Sequence, residues 1–312
     1  MAKHLLTLDS LGSEGIRRVL DLAVQAKKVK GMTREALPGG KVGLIFDKPS
    51  LRTRVSFEAA IWGLGMLPIT LRSDEIQIGG RESVPDSARI LSGYLSAVAI
   101  RTFEQSKVED LARYATIPII NALTDDHHPC QALADVMTLQ EEFGSFAGLR
   151  VAFVGDGNNV CHSLIQAAGW LGFTLAISTP EGYEPKTEIV EAARVNCRVN
   201  GGGIELGHEP RAAVGGADAV YTDIWASMGQ EQERAERARL FGEYRVDAAL
   251  MALAAPRAIF LHCLPAHRGD EVTDEVMDGP QSRVWDEAEN RWYTEQALLY
   301  LLITGNERWE RQ

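Results

Sequence analysis

The chain lacks a long apolar run, a paired set of cysteines and an excess of positive charge. Each absence removes a class of protein. The longest apolar stretch, Ala297-Leu-Leu-Tyr-Leu-Leu-Ile303, is far too short to cross a bilayer, which takes about 20 residues. The opening Met-Ala-Lys-His-Leu-Leu-Thr-Leu-Asp-Ser has no long apolar core and soon turns acidic. It reads as neither a signal peptide nor an Arg-rich transit peptide. Four cysteines stand at 130, 161, 197 and 263 without paired spacing, so there is no disulfide framework and no CxxC metal knuckle. A reducing compartment fits best, and a cytoplasmic location is expected. Lys and Arg number 32 against 43 Asp and Glu, for a net charge of −11. That balance disfavours nucleic acid and anionic membranes as partners. It leaves room for a small phosphorylated ligand, because a local arginine cluster overrides the global sign. Internal repeats and low-complexity segments are absent as well.

What is present is globular. The 312 residues are 45% hydrophobic and 24% charged, enough for a sizeable core and two domains. Strand-like runs fall at 42–46, 67–71, 97–101 and 117–120, then at 151–154, 175–178, 219–221 and 259–261. Helical patterns such as 83–94, 108–114 and 189–199 separate them. This alternation predicts an α/β fold of two doubly wound parallel-sheet domains joined by bridging helices. The Gly- and Ser-containing stretch 143–149 marks the boundary. It predicts domains 1–143 and 144–285, with the last helix, 286–312, packing back on the first. Residues 129–142 have a helical period and bridge the halves. Residues 286–304 read as one long amphipathic helix ended by Gly305, and 230–239 as a solvated loop or helix start.

Ligands of open parallel sheets bind beyond the carboxyl ends of the strands, so the polar residues there are the candidates. The first is Lys48-Pro-Ser50-Leu51-Arg52-Thr53-Arg54, directly after the run ending at Phe46. A helix capped by Ser50 would present unpaired N–H groups and partial positive charge. Ser50 and Thr53 add hydroxyls, and Arg52 a cationic fork suited to phosphate. The segment reads as an oxyanion cradle or as an ordinary capped helix with surface arginines. Arg101 ends a strand, a costly place for a cation unless it meets an anion. His128 and Gln131 lie three apart at a helix start, with Pro129 and Cys130 between them, so both can face one point. His127, His128 and Cys130 suggest a metal, but no carboxylate or cysteine cluster completes the set, and no metal is expected. Gly155-Asp-Gly157-Asn158-Asn159 is half of a dinucleotide fingerprint. The third glycine and a clear ribose acid are missing, which weakens an NAD-dependent oxidoreductase. Asp223-Ile-Trp-Ala-Ser227-Met228-Gly229 and His262-Cys263-Leu264-Pro265 follow later strands. Cys263 is either a buried structural thiol or part of a site.

Taken together, these motifs resemble the aspartate/ornithine carbamoyltransferase family. Ser-x-Arg-Thr-Arg, the lone strand-end Arg101 and His-Pro-x-Gln resemble its carbamoyl phosphate domain. Gly155–Asn159, Asp223–Gly229, His262–Pro265 and Glu287-Ala-Glu-Asn-Arg291 resemble the branch whose acceptor is ornithine. The likeness runs from the first ten residues to Gly305. One departure is Leu51, where many members have Thr, so one possible hydroxyl contact to phosphate is absent. The resemblance implies transfer of a carbamoyl group from carbamoyl phosphate to the side-chain amine of L-ornithine, giving citrulline in arginine metabolism. It assigns Ser50, Leu51, Arg52, Thr53, Gln77, Arg101, His128, Pro129, Cys130, Gln131, Cys263, Leu264 and Arg291 to carbamoyl phosphate. Asn159, Asp223, Ser227, Met228, Cys263 and Leu264 go to ornithine. Of these, Arg52, Thr53, Arg101, His128, Gln131 and Cys263 are the expected catalytic groups. Gln77 matches a position that reaches into a neighbouring subunit's site, which implies a homotrimer with shared active sites. Arg54 is expected to pair with a carboxylate instead. No cofactor is implied, because the phosphate already activates the carbonyl. Putrescine or an N-acylated ornithine are rival acceptors, and a non-catalytic metabolite-binding protein on the same fold is a remoter rival.

Overall fold

Two parallel sheets, each flanked by helices, account for the apolar runs. The computed structural model describes residues 3–72, 78–80, 82–226, 234–306 and 309. The chain divides into two compact units. One comprises the residues up to Met137 with those from Glu289 onward, and the other is Thr138–Ala288. The division falls inside two helices, Pro129–Phe143 and Val284–Thr304.

The first unit holds β1 (Lys41–Phe46), β2 (Leu67–Arg72), β3 (Ala97–Arg101) and β4 (Ile119–Leu123) in the order β2-β1-β3-β4. All pairings are parallel. β3 is buried along its whole length, as a central parallel strand covered on both faces must be. Ile45, Val98, Ile100, Val108 and Leu111 form the core between this sheet and its helices.

The second unit holds β5 (Arg150–Val154), β6 (Thr174–Ser178), β7 (Gly203–Gly207), β8 (Ala219–Thr222) and β9 (Ile259–Leu261). Their order is β7-β6-β5-β8-β9, again all parallel. Ala152, Val154, Val220, Phe260 and Val284 lie in its core. The strand order reverses direction between β1 and β3 in one sheet and between β5 and β8 in the other. Such switch points leave a crevice beyond the strand ends. The Ser50 segment follows β1 and Arg101 ends β3, while Gly155 follows β5 and Asp223 follows β8.

Four segments differ from the sequence expectation. β4 starts at Ile119 and runs on to Leu123. Pro118 has no N–H for the ladder, and the buried Asn121 is tolerated because its amide donates to the Leu6 carbonyl at 2.9 Å. β7 was not expected. Its Gly-rich start and exposed Glu205 suit the sheet edge. The last helix is not amphipathic in the ordinary sense: Glu287, Asn290, Arg291, Thr294, Glu295 and Gln296 are all buried. In the segment 230–239, the described part begins the helix Arg234–Leu240, and Arg237 is buried rather than solvated. Among the described residues, no helix is long and apolar enough to cross a membrane.

Candidate functional site

In the first unit the cradle forms as a capped helix. Ser50 is extended, and its Oγ accepts from the Thr53 N–H at 3.3 Å to start the helix Leu51–Gly63. This is an N-cap satisfying one of the orphan donors of the first turn. Thr53 is buried, whereas Leu51 is 76% exposed. Arg54 Nε donates to Glu58 one turn on, at 3.0 Å, so it has the carboxylate partner expected of it.

Arg101 is buried at the end of β3, where the register with β4 shifts between Ile100 and Arg101. His128 is buried at the start of the helix Pro129–Phe143. Burial holds the His128 imidazole well below its ordinary pKa, and the charges of Arg291, Arg101 and Arg52 push the same way. Four residues from distant parts of the chain therefore share one electrostatic neighbourhood: a neutral imidazole among three guanidinium groups. A neutral ring can present one N–H donor without adding a fourth positive charge.

Arg291 ties this neighbourhood together. Its Nη1 donates to Gln131 Oε1 at 2.9 Å and its Nη2 to Thr53 Oγ1 at 3.4 Å. Nε and Nη2 both reach Glu295 Oε1, at 3.0 and 2.7 Å. Burial opposes the Arg291 charge, but Glu295, Cys130 and Asp135 together more than offset it, and the guanidinium stays charged. Burial in turn pushes the Glu295 carboxyl up to about 7, against the pull of Arg291. Gln131 Nε2 donates to Asp135 Oδ1 at 2.8 Å, so both ends of this buried amide are held. Pro129 opens the helix and Cys130 is buried behind it. Burial raises the Cys130 thiol far above its ordinary range, which makes it an inert side chain. Lys48 is a buried cation that sequence reasoning passed over. It pairs with Asp125 and stacks on Phe103, 4.2 Å from the ring centroid.

The second unit builds a different cluster. Gly157 must be glycine: an added Cβ would lie 2.3 Å from the Pro185 backbone nitrogen. Its N–H donates to the Tyr183 carbonyl at 2.9 Å. Asn158 then caps the helix Asn159–Leu171, its Oδ1 accepting from the N–H groups of Val160 and Cys161 at 3.0 and 3.1 Å. The other end of the same amide, Nδ2, donates to Asp223 Oδ2 at 2.7 Å. Asp223 Oδ1 accepts from the Ile224 N–H at 2.8 Å and the Cys263 thiol at 3.0 Å. A buried carboxylate thus has both oxygens fixed by neutral donors, with no cation among the donors named. That leaves it able to attract an ammonium group.

Asn159 occupies the first helical position and Leu264 the turn after Cys263, where the Leu264–Pro265 bond is cis. Gln77, Ser227 and Met228 lie outside the described residues. Sequence reasoning did not single out Asn158, although a Gly-Asn-Asn run before an apolar helix is a cap signature. It also missed Arg237, which donates to Asp156 Oδ2 at 2.7 Å and the Trp225 carbonyl at 2.8 Å. Among the described residues, His127, His128 and Cys130 form no group with metal-ligand spacing. Asp223, His262 and Cys263 do, with ligand atoms within 4.8 Å of one another. The last set is already a hydrogen-bonded network, since His262 Nδ1 accepts from the Leu264 N–H and its Nε2 meets Glu271.

Fold and clusters together define a class. This is a parallel α/β protein with a cluster of guanidinium groups at the switch point of one unit and a buried carboxylate at that of the other. A family model described as the carbamoyl-P binding domain of aspartate/ornithine carbamoyltransferase matches residues 3–141, and its Asp/Orn binding domain matches 147–302. The chain belongs to the aspartate/ornithine carbamoyltransferase family. It is 47% identical over 307 residues to an ornithine carbamoyltransferase of Methanoculleus marisnigri, covering 98% of each chain. It is 49% identical to one of Bacillus thuringiensis, covering 98% of this chain and 96% of that one. The solved structure of ornithine carbamoyltransferase from Pyrococcus furiosus superposes with a TM-score of 0.93 at 46% identity, covering 97% of both chains.

Proposed function

We propose that the chain transfers the carbamoyl group of carbamoyl phosphate to the side-chain amine of L-ornithine, forming L-citrulline and phosphate. The amine nitrogen bonds to the carbonyl carbon, the carbon–oxygen bond to phosphate breaks, and its electron pair leaves with the phosphate. The amine proton goes to the departing phosphate. Buried His128, close to the charges of Arg52, Arg101 and an Arg291 that is hydrogen-bonded to Gln131 and Thr53, carries this reading. Arg52, Ser50, Thr53 and the helix start, with the Leu51 N–H, take the phosphate. Arg101, His128 and Thr53 stabilise the negative charge that grows on the carbonyl oxygen. Gln131 orients the carbamoyl NH2. Arg291 acts chiefly by holding Gln131 and Thr53, since four of its hydrogen bonds go to protein.

Asp223 takes the α-amino group of ornithine. Asn159, Ser227 and Met228 take its carboxylate, and Cys263 with the Leu264 carbonyl receives the attacking amine. A carboxylate-binding Ser227–Met228 segment disfavours putrescine, which has none. Colorimetric citrulline formation from carbamoyl phosphate and ornithine, with putrescine and N-acetylornithine in parallel, tests the reading. Turnover of either rival in place of ornithine would reject it.

We further propose a cytoplasmic homotrimer with Gln77 completing a neighbour's site. Leu51, Val55 and Trp62 are exposed on one face of the helix Leu51–Gly63, and Leu67 is exposed on the edge strand β2. These exposed apolar side chains support an interface on that face. Gln77→Ala trimers mixed with Arg52→Ala trimers should regain activity under subunit exchange. Absence of recovery, once exchange is seen by native mass spectrometry, rules out the shared site.

A further inference from the structure

We propose that His262 and Glu271 are positioning residues for the Cys263–Leu264 turn. They hold Leu264 in a left-handed backbone conformation and so keep Cys263 against Asp223. Among the described residues only Lys30 and Leu264 are non-glycines with φ in the left-handed region, 57° and 61°. Lys30 sits just past the end of the helix Gly12–Lys28, where such a conformation is common. Leu264 is at no helix end. A left-handed side chain away from a cap persists only where its surroundings over-determine it, and such positions cluster at functional sites.

The surroundings do over-determine it. The Leu264 N–H donates to His262 Nδ1 at 2.8 Å. An amide can donate only to the lone pair of a ring nitrogen, so Nδ1 is unprotonated and the ring proton is on Nε2. Nε2 then donates to Glu271 Oε1 at 3.2 Å. The same oxygen accepts from the His267 backbone, which anchors the carboxylate. The His262 N–H donates to Glu287 Oε2 at 2.9 Å, and Tyr221 reaches Glu287 Oε1 at 3.3 Å. His262, Glu271 and Glu287 are all essentially inaccessible. One imidazole is therefore fixed through its backbone and both ring nitrogens, and one of those bonds fixes Leu264. The neighbouring Cys263 sulfur, 3.0 Å from Asp223 Oδ1, rides on the same turn.

The transfer reading gives His262 and Glu271 no substrate contact of their own, so the pair acts through Cys263 and Leu264. A reacting group displaced by an ångström can cost about 100-fold in rate. The inference rests on the transfer reading, which wild-type citrulline formation tests by itself.

Two isosteres separate the links. His262→Asn places an amide oxygen near Nδ1, keeping an acceptor for Leu264 and losing Glu271. His262→Gln reaches the Nε2 position, keeping Glu271 and losing the acceptor for Leu264. Turnover at saturating carbamoyl phosphate should be at least about tenfold higher for His262→Asn than for His262→Gln, on the order expected from misplacement. Thermal midpoints of the two variants should lie close together. His262→Gln turning over as fast as His262→Asn, or faster, overturns the proposal. So does a loss of turnover that simply follows loss of thermal stability across the two variants. If wild type makes no citrulline, the transfer reading fails separately. Ornithine affinity then ranks the two variants, and equal affinity overturns the positioning role.

Discussion

The two units solve opposite electrostatic problems with the same fold. In the first, three arginines crowd a histidine whose pKa is held low, and a buried Glu295 holds Arg291 in place. In the second, one buried carboxylate, Asp223, is held by an amide, a backbone N–H and a thiol, all neutral donors. Both lie at the switch point of a parallel sheet. Strand order therefore supplies the crevice, and side-chain charge decides what enters it. In the transfer reading, the cationic cluster takes the dianion carbamoyl phosphate. In the same reading, the buried carboxylate of Asp223 takes an ammonium group. The acidic net charge of −11 predicts neither, because a few guanidinium groups within several ångströms dominate the local field.

Substitutions that remove one charge from each unit should break this contrast most clearly. Arg52→Ala removes a charge-assisted fork from a desolvated phosphate, at a cost of about 3–5 kcal/mol. Steady-state kinetics should show carbamoyl phosphate affecting the rate only at far higher concentration, with turnover reduced. Near wild-type values would remove Arg52 from the cradle. Asp223→Asn keeps the shape and removes the opposite charge. Loss of a charged hydrogen bond costs about 1.5–3 kcal/mol, so ornithine affinity should fall roughly 10- to 150-fold. Carbamoyl phosphate binding, measured alone by calorimetry, should hardly change. An equal loss for both substrates would mean that Asp223 supports the fold.

A smaller effect should appear in stability against pH. His128 has a folded pKa well below the ordinary 6.5, so below that value the unfolded chain binds a proton that the folded chain resists. Stability is therefore whole above about pH 6.5 and declines as pH falls toward the lowered folded value. His128→Asn should lose less thermal stability than wild type between about pH 7 and about pH 5. An identical decline in both would show that His128 is not held neutral. The smallest effect belongs to Arg54, a neighbour of the cradle outside it. Its exposed one-turn pair with Glu58 is worth about 0.3–0.5 kcal/mol, so Arg54→Ala should shift denaturation slightly and leave the kinetics unchanged. A strong kinetic effect would extend the cradle to include it.

Much of this contrast is legible before folding. Ser50 three residues before Thr53, after an apolar run, announces the helix cap. His-Pro-x-Gln puts His128 and Gln131 at one helix start, and Arg101 stands out as a charge ending an apolar strand. The support around them is not legible. Glu295 and Asp135 look like ordinary helix residues, yet one anchors Arg291 and the other fixes Gln131. Asn158 was overlooked beside Asn159 because a doubled residue hides which amide caps the helix and reaches Asp223.

The sequence by itself determined the local events. These are most of the runs that become parallel strands, though not β7, and which polar residues follow the strand ends, because periodicity and capping are set by neighbours a few residues away. Only the tertiary structure decided which of those residues meet. Arg291 lies 160 residues from Gln131 and 238 from Thr53, and Cys263 lies 40 from Asp223. The neutrality of His128, the retained charge of Arg291 and the left-handed turn at Leu264 all follow from such meetings. Burial and through-space charge depend on distance in the fold, and spacing along the chain does not encode that distance.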